Sequence, residues 1–170
     1  KSLGGWTVGV LVQTNFGGVL QIAGVPVGQA LGRYLLKTEL DKANADGSVI
    51  IVVATDAPLS DRNLERLARR AFLGIARTGS PITNGSGDYA IAFSTNADVR
   101  RTAERRGKPS SFVEVPNDQV SPLFEAAVEA TEEAVINSLF AATPTDGNGH
   151  HVDALPVDHV IKLYRKARPK

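Results

Sequence analysis

A serine hydroxyl at the start of an apolar run is the first group in this chain that could do acyl-transfer chemistry. Ser48 follows Gly47 and stands directly before the run 49–54. If the bond between Gly47 and Ser48 is cut, the new α-amine of Ser48, with an ordinary pKa of about 7.7 to 8.0, can accept the proton of the serine's own hydroxyl. Glycine on the acyl side leaves the carbonyl carbon open and tolerates strained dihedral angles. The same dipeptide is also compatible with an ordinary turn entering a strand.

Two further segments carry polar side chains that such a nucleophile needs. Ser86 and Asp88 lie two positions apart, so in an extended segment they project to one face. Asp88 could stabilise the protonated amine, and Ser86 could orient the hydrogen bond. Asn15 ends the first β-rich segment, and its side-chain amide is a candidate donor to an oxyanion. Turn-forming roles remain open for both segments, since Asn84-Gly85 is a strong turn signal and asparagine is common in turns.

Alternating strand and helix patterns predict the elements that position these residues. The run beginning at Ser48 is β-branched and apolar without alternation, which predicts a strand covered on both faces. It follows a polar loop over 38–47 and a glycine-containing stretch over 19–33. The other predicted strands are Thr7–Gln13 and Tyr89–Thr95, and the predicted helices are Leu59–Arg77, Pro122–Ala141 and Leu155–Arg168. Strands with packing helices predict an α/β layered fold.

Composition limits the class of protein. A chain of 170 residues, 42% hydrophobic and 22% charged, can bury one substantial core, so we expect a single domain over residues 1–170. The net charge of +1 argues against a nucleic-acid or membrane-surface partner, and the absence of cysteine excludes disulfide and thiolate chemistry. No apolar stretch reaches the length of a membrane span.

The beginning of the chain predicts a processed product or a fragment. It lacks an initiator methionine, and residues 1–5 lack the apolar region of a signal peptide. Both the cytoplasm and the periplasm of a bacterium remain open as the compartment of a soluble protein.

Three segments together carry a family resemblance. The runs 7–17, 47–59 and 84–88 resemble, in this order, segments of the L-aminopeptidase/D-esterase family, which includes the β-peptidyl aminopeptidases. Members of this family cut their own precursor before a serine and so produce an α and a β subunit. The resemblance implies that residues 1–47 are the end of an α subunit and that residues 48–170 are the β subunit.

The resemblance also implies a role for each candidate residue. Gly47-Ser48 corresponds to the processing site, Ser48 to the nucleophile, Ser86 and Asp88 to its supporting pair, and Asn15 to the oxyanion-hole asparagine. Asp88 stands where some members have glutamate, which keeps the charge and shortens the reach. The implied fold is a four-layer αββα sandwich. The implied enzyme is a homo-oligomer, a tetramer of αβ units, without a metal or an organic cofactor.

The implied activity is that of a serine aminopeptidase. Ser48 attacks the carbonyl after the first residue of a peptide, amide or ester, Asn15 and a backbone N–H hold the oxyanion, and water releases an L-, D- or β-amino acid. Family precursors are about twice as long as this chain. We therefore expect the upstream remainder of its own α subunit as a partner, which contributes a tyrosine and an acidic residue to the amine pocket.

Alternatives of the same and of another class remain. Ornithine acetyltransferases and nylon-oligomer hydrolases share the implied fold, but both resemble threonine nucleophiles, whereas position 48 is serine. A non-catalytic α/β assembly module would leave the chain uncut at about 18 kDa.

Two other polar groups favour structural roles. His150-His151 lies in a glycine-rich turn without spaced carboxylate or cysteine partners, so we expect no metal site there. The basic cluster of five residues favours a solvated helix face or an oligomer contact; its members are Arg100, Arg101, Arg105, Arg106 and Lys108.

Overall fold

Strands and helices follow one another along the chain in a computed structural model, which describes residues 2–3, 5–34 and 47–167. The strands are β1 (Ser2–Leu3), β2 (Trp6–Asn15), β3 (Ser48–Thr55), β4 (Gly87–Ser94), β5 (Thr145–Gly147) and β6 (His150–Val152). The helices are α1 (Val27–Ala30), α2 (Asp61–Arg77), α3 (Ala103–Arg106), α4 (Ser121–Ala141) and α5 (Val157–Ala167). Most of the predicted polar loop before Gly47 lies outside the described residues.

The three predicted strands and three predicted helices are all present, with ends within about two residues of the predicted bounds, as is usual for sequence patterns. The hairpin β5–β6 was not predicted, although Asn148 and Gly149 between its strands carry the signal. Their φ angles of 48° and 77° are those of an Asn-Gly type I′ turn. The short helix α1 falls in the stretch predicted to be loose.

A four-stranded sheet in the order β1-β2-β3-β4 carries the segments of interest. The Gly87 N–H donates to the Gly47 carbonyl oxygen at 3.1 Å, and the Thr95 N–H donates to that of Thr55 at 2.8 Å. Each donor lies 40 residues after its acceptor, so β3 and β4 run in the same direction, and α2 is the crossover that parallel strands need. This register sets Ser48 beside Gly87.

The residues group into two compact units. The first comprises Lys1–Gln13, Ile50–Gly74 and Asp88–Thr131, and the second comprises Thr14–Val49, Ile75–Gly87 and Glu132–Lys170. Both contain residues from either side of position 47, so the units do not correspond to the predicted α and β subunits. The expectation of a single domain stays a prediction.

The first unit buries one face of the sheet and the apolar faces of its helices. Buried residues recur along α2 at helical spacing, which is the pattern of an amphipathic helix with one face in a core, and α4 adds Leu123, Ala126 and Ala127 to that core. Two arginines of α2, Arg66 and Arg70, lie over the Phe124 ring of α4, with their guanidinium carbons 5.0 and 4.6 Å from its centroid. The principal buried residues are Val8, Ile51, Val53, Leu59, Leu67, Ala71, Val120, Leu123 and Ala127.

The second unit has an apolar cluster of its own. Val27 of α1 and Val160 of α5 are fully or almost fully buried, and Ile136 and Phe140 of α4 pack against the cluster. Helix α5 buries one face in this cluster and carries charged residues in its first and last turns. This is why the spacing of apolar residues in 155–168 predicted a helix.

The other face of the sheet differs from the prediction. Along β3, buried and more exposed residues alternate, so the described residues cover one face of this strand and not both. Ile50 is 49% exposed, and the register places it beside Tyr89, which is 69% exposed. Leu11 and Ile91 are 71% and 61% exposed. A sheet face this apolar needs a covering layer.

Candidate active site

The Ser48 hydroxyl contacts the carbonyl group of the preceding residue, Gly47. Its Oγ donates a hydrogen bond to the Gly47 carbonyl oxygen at 2.5 Å. Ser48 is exposed, whereas Gly47 is buried. The hydroxyl therefore lies beside the carbonyl group of the predicted processing site, on the accessible side of strand β3.

A second donor fixes the same carbonyl. The Gly87 N–H, at the first position of β4, donates to the Gly47 oxygen at 3.1 Å. This is a ladder bond between neighbouring strands, so it holds the carbonyl in the plane of the sheet. The Gly47 oxygen thus accepts from one side chain and one backbone amide.

Gly47 is needed here because another strand end comes close. A Cβ built on Gly47 would lie 2.9 Å from the Asn15 carbonyl oxygen and 3.1 Å from the Phe16 Cα. Both of these contacts are with backbone atoms, so the close approach of the backbone requires glycine at this position. The end of β2 and the start of β3 are therefore packed backbone to backbone at the predicted site.

Asn15 occupies the predicted place at the end of β2. It is exposed, and in the alternation along β2 it shares the exposed positions with Gln13. It also lines a cavity of about 400 Å³ in the second unit. The other lining residues include Phe16, Leu20, Arg33 and Val135, so the cavity combines an apolar wall with one cation.

Ser86 and Asp88 flank Gly87 in the chain. The Ser86 N–H donates to the Thr83 carbonyl oxygen at 2.9 Å, so a tight turn delivers Ser86 to the start of β4. Asp88 follows within β4, and both residues are half-buried. Since side chains alternate along a strand, Gly87 is in the same row as Ser48, and the flanking positions 86 and 88 belong to the opposite row.

Sequence reasoning missed two residues at this place. Gly87 acts through its backbone N–H, which no side-chain pattern reveals. Arg33 lies in the stretch predicted to be loose; its Nη2 donates to Asp153 Oδ2 at 3.1 Å, and both side chains are exposed. Gly87 lies within the run 84–88 that carries the resemblance, but its position beside Gly47, like that of Arg33 in the cavity wall, depends on pairings between residues distant in the chain.

The expectation that His151 lacks carboxylate partners is wrong. Its Nδ1 lies 2.7 Å from Asp146 Oδ1, and its Nε2 lies 3.4 Å from Asp153 Oδ1. Hairpin register explains the first contact, since Asp146 pairs with His151 across β5 and β6. Within the described residues, no group of three or more His, Cys, Asp or Glu side chains has an arrangement that could hold a metal ion.

The basic cluster is helical only over Ala103–Arg106. Arg105 donates to the carbonyl oxygens of Ala97, Asp98 and Arg100, so it closes a loop, and Arg101 lies over the Phe112 ring at 5.4 Å. This arrangement differs from the continuous helix face that was one of the two expectations. The oligomer contact stays a prediction.

One carboxylate in the first unit has a shifted pKa. The Ser60 hydroxyl donates to Glu114, and the Asn63 amide nitrogen donates to the same oxygen at 2.6 Å. The hydrogen bond from Ser60 is the largest effect and lowers the pKa of Glu114; burial opposes it, and the bond from Asn63 lowers the pKa further. The network joins residues at the start of α2 to residue 114.

The fold of this chain is similar to that of solved aminopeptidases. The structure resembles that of the L-aminopeptidase D-Ala-esterase/amidase from Ochrobactrum anthropi, described as a prototype for the serine aminopeptidases, with a TM-score of 0.75 and 32% identity over 94% of this chain and 48% of the other. A Burkholderia sp. β-aminopeptidase matches with a TM-score of 0.80 and 38% identity over 98% and 46% of the two chains. The predicted α/β class is confirmed.

The chain belongs to peptidase family S58, whose model matches residues 1–152. Its sequence is 45% identical to the β-peptidyl aminopeptidase BapA of Sphingosinicella microcystinivorans over 178 residues, which cover 95% of this chain and 44% of that protein. The chain thus spans somewhat less than half the length of this relative. The resemblance to the L-aminopeptidase/D-esterase family is confirmed. No helix in the described ranges has the length and apolar character needed to cross a membrane.

Proposed function

We propose that this chain is part of a self-processing serine aminopeptidase that cuts itself between Gly47 and Ser48. The observation that carries the proposal is the Ser48 Oγ, 2.5 Å from the carbonyl oxygen of the bond to be cut. Membership of a peptidase family supports a hydrolytic role for this hydroxyl. After processing, Ser48 is an N-terminal nucleophile and its α-amine is the base.

In the proposed hydrolysis, the Ser48 Oγ attacks the carbonyl carbon of the first residue of a substrate, and the bond from that carbon to the amine or alcohol breaks. The α-amine of Ser48 passes the hydroxyl proton to this leaving group, and water then hydrolyses the ester to the free amino acid. Asp88 stabilises the protonated amine, and Ser86 orients the hydrogen bond between them. Asn15 donates to the oxyanion together with a backbone N–H. The role of Asn15 is supported by its approach to Gly47 and by the cavity that it lines. The roles of Ser86 and Asp88 rest on the family resemblance, and both residues adjoin Gly87 in the chain.

We propose peptides, aminoacyl amides and esters with a free amine as substrates. The names of the relatives make β-amino acids the first acyl groups to test, followed by L- and D-amino acids. The cavity at Asn15 supports binding of both apolar and polar parts of a substrate. Its wall combines the apolar side chains of Phe16, Leu20 and Val135 with the charged side chain of Arg33.

The upstream remainder of an α subunit is the proposed partner. The exposed apolar side chains of Leu11, Ile50 and Ile91 on the sheet support a covering layer, as does the fraction of the relatives' length that this chain spans. A second sheet from that remainder would complete the four-layer αββα sandwich. Assembly of αβ units into a homo-oligomer, a tetramer, is part of the same proposal.

Substitution of Ser48 by alanine in the full chain tests the proposal. We expect Ser48→Ala to remain a single polypeptide by intact mass under denaturing conditions and to release no p-nitroaniline from aminoacyl p-nitroanilides. The matched control is Ser138→Ala, which also removes an exposed hydroxyl bonded to a backbone carbonyl, at 2.7 Å. Cleavage or turnover by Ser48→Ala would refute the role of Ser48, and an uncut control would show that the loss is unspecific.

A further inference from the structure

The Gly47 carbonyl oxygen has a backbone donor that the proposed self-processing can use. When the Ser48 Oγ attacks the Gly47 carbonyl carbon, negative charge develops on that oxygen. The attacking Oγ gives up its proton and no longer donates to it. The Gly87 N–H, 3.1 Å away, remains in place. Hydrogen bonds to an oxyanion are stronger than those to a neutral carbonyl, so this donor favours the tetrahedral state.

We propose that the Gly87 N–H is the oxyanion donor of the self-processing step, an inference that rests on the proposed function. In this step the bond between Ser48 Oγ and the Gly47 carbonyl carbon forms, and the bond from that carbon to the Ser48 nitrogen breaks. The hydroxyl proton ends on the nitrogen, which becomes the α-amine. Water then hydrolyses the ester, which leaves a carboxylate on Gly47 and restores the Ser48 hydroxyl.

The sheet preorganises this donor. Gly87 is the first residue of β4 and the lateral neighbour of Ser48, and a second ladder bond, from Thr95 to Thr55 at 2.8 Å, ties the other end of the same strand pair. A donor fixed by the ladder needs no reorganisation when charge develops. Gly87 also has no side chain, so β4 places no Cβ directly beside Ser48.

On the other side of Gly47 the carbonyl oxygen of Asn15 comes close, and a carbonyl oxygen only accepts hydrogen bonds. The Ser48 hydroxyl and the Gly87 N–H both donate to the Gly47 oxygen. When the Ser48 hydroxyl attacks, it stops donating to this oxygen, whereas the Gly87 N–H continues to donate.

Replacing one backbone amide by an ester tests the proposal. Glycolic acid at position 87, introduced by suppressor tRNA during cell-free synthesis of the full chain, removes the N–H and keeps the backbone atoms. Loss of one oxyanion donor slows acyl transfer by about 10²- to 10³-fold, so we expect this ester to be processed at least about 100 times more slowly than the unmodified chain. Denaturing gels and intact mass at successive times give the rate.

The hydroxy-acid analogue of threonine at position 95 is the matched control. It removes a ladder bond of the same strand pair, the one to Thr55, and leaves the hydrogen bonds to the Gly47 carbonyl in place. Because the lost bond lies away from the developing charge, we expect processing within about threefold of the unmodified rate. Unchanged processing of the Gly87 ester, or equal slowing of both esters, would overturn the role of the Gly87 N–H. An unmodified chain that stays uncut would instead refute the proposed self-processing itself.

Discussion

Replacement of Gly47 by alanine tests the packing of strand ends at the scissile bond. The added Cβ would lie 2.9 Å from the Asn15 carbonyl oxygen, 3.1 Å from the Phe16 Cα and 3.2 Å from the Phe16 Cβ. Two of these three atoms belong to the backbone, so they cannot rotate away. To reach the 3.4 Å of an ordinary contact, the strand ends must separate by about 0.5 Å, and such overpacking costs roughly 1 to 3 kcal/mol of unfolding free energy.

The same shift displaces the reacting groups. Misplacement by 1 Å can cost about 100-fold in rate, so about 0.5 Å should slow the cut between residues 47 and 48 roughly 10-fold. The assay is intact mass of the full chain at successive times after synthesis, with urea unfolding to measure stability. Gly147→Ala is the matched control, because a Cβ there meets nothing within 4 Å and Gly147 has no positive φ.

Two results would refute this reasoning. If Gly47→Ala is cut at the rate of the unchanged chain, the contact with Asn15 and Phe16 does not position the scissile carbonyl. If Gly147→Ala is slowed to the same extent, the effect belongs to the loss of any glycine and not to this close approach. Both rates are measured in the same preparation conditions.

Three further substitutions are expected to act as follows. Asp88→Asn should lower hydrolysis of an aminoacyl p-nitroanilide at least about 100-fold with little change in thermal stability, because the protonated amine loses its counter-charge; an unaltered rate would leave the carboxylate only a structural role. Gly79→Ala should cost at least about 3 kcal/mol in urea unfolding, since Gly79 has φ +95° and its Cβ would lie 1.8 Å from the Val19 carbonyl oxygen; full stability would contradict that packing. Glu114→Gln should destabilise the protein most at neutral pH. The lowered pKa of Glu114 gives stability above the unfolded carboxyl pKa, and that stability is lost as pH falls through the folded value, so the difference in Tm between the two proteins should shrink in acid; a difference independent of pH would contradict the role of the Ser60 bond.

Local patterns in the sequence predicted the elements well. Helical spacing of apolar residues predicted α2, because this helix buries one face and carries charged residues on the other. The apolar residues in 122–141 also predicted α4, which is apolar around more of its circumference. The β-branched run after Ser48 predicted β3 for a similar reason. What the run could not reveal is whether both faces are covered by this chain. The described residues bury one face and leave Ile50 half exposed.

The sequence displays the side chains of the candidate site but not its backbone contacts. Ser48 and Asn15 carry side-chain chemistry that the sequence shows, and Gly47 is recognisable by its place before Ser48. The reason for Gly47, however, is its approach to Asn15, which depends on how β2 meets β3. The donor role of Gly87 depends on the register of β3 against β4. Both are pairings between residues distant in the chain, and local secondary-structure propensity does not predict such pairings.

Identification of the N-terminus in the purified full chain tests the central claim most directly. Sequencing by Edman degradation, with intact mass under denaturing conditions, distinguishes a cut chain from an uncut one. We expect a fragment that begins Ser48-Val49-Ile50 and a second fragment that ends at Gly47. A single uncut polypeptide that nevertheless hydrolyses aminoacyl p-nitroanilides would contradict the account, because Ser48 would then have no α-amine of its own.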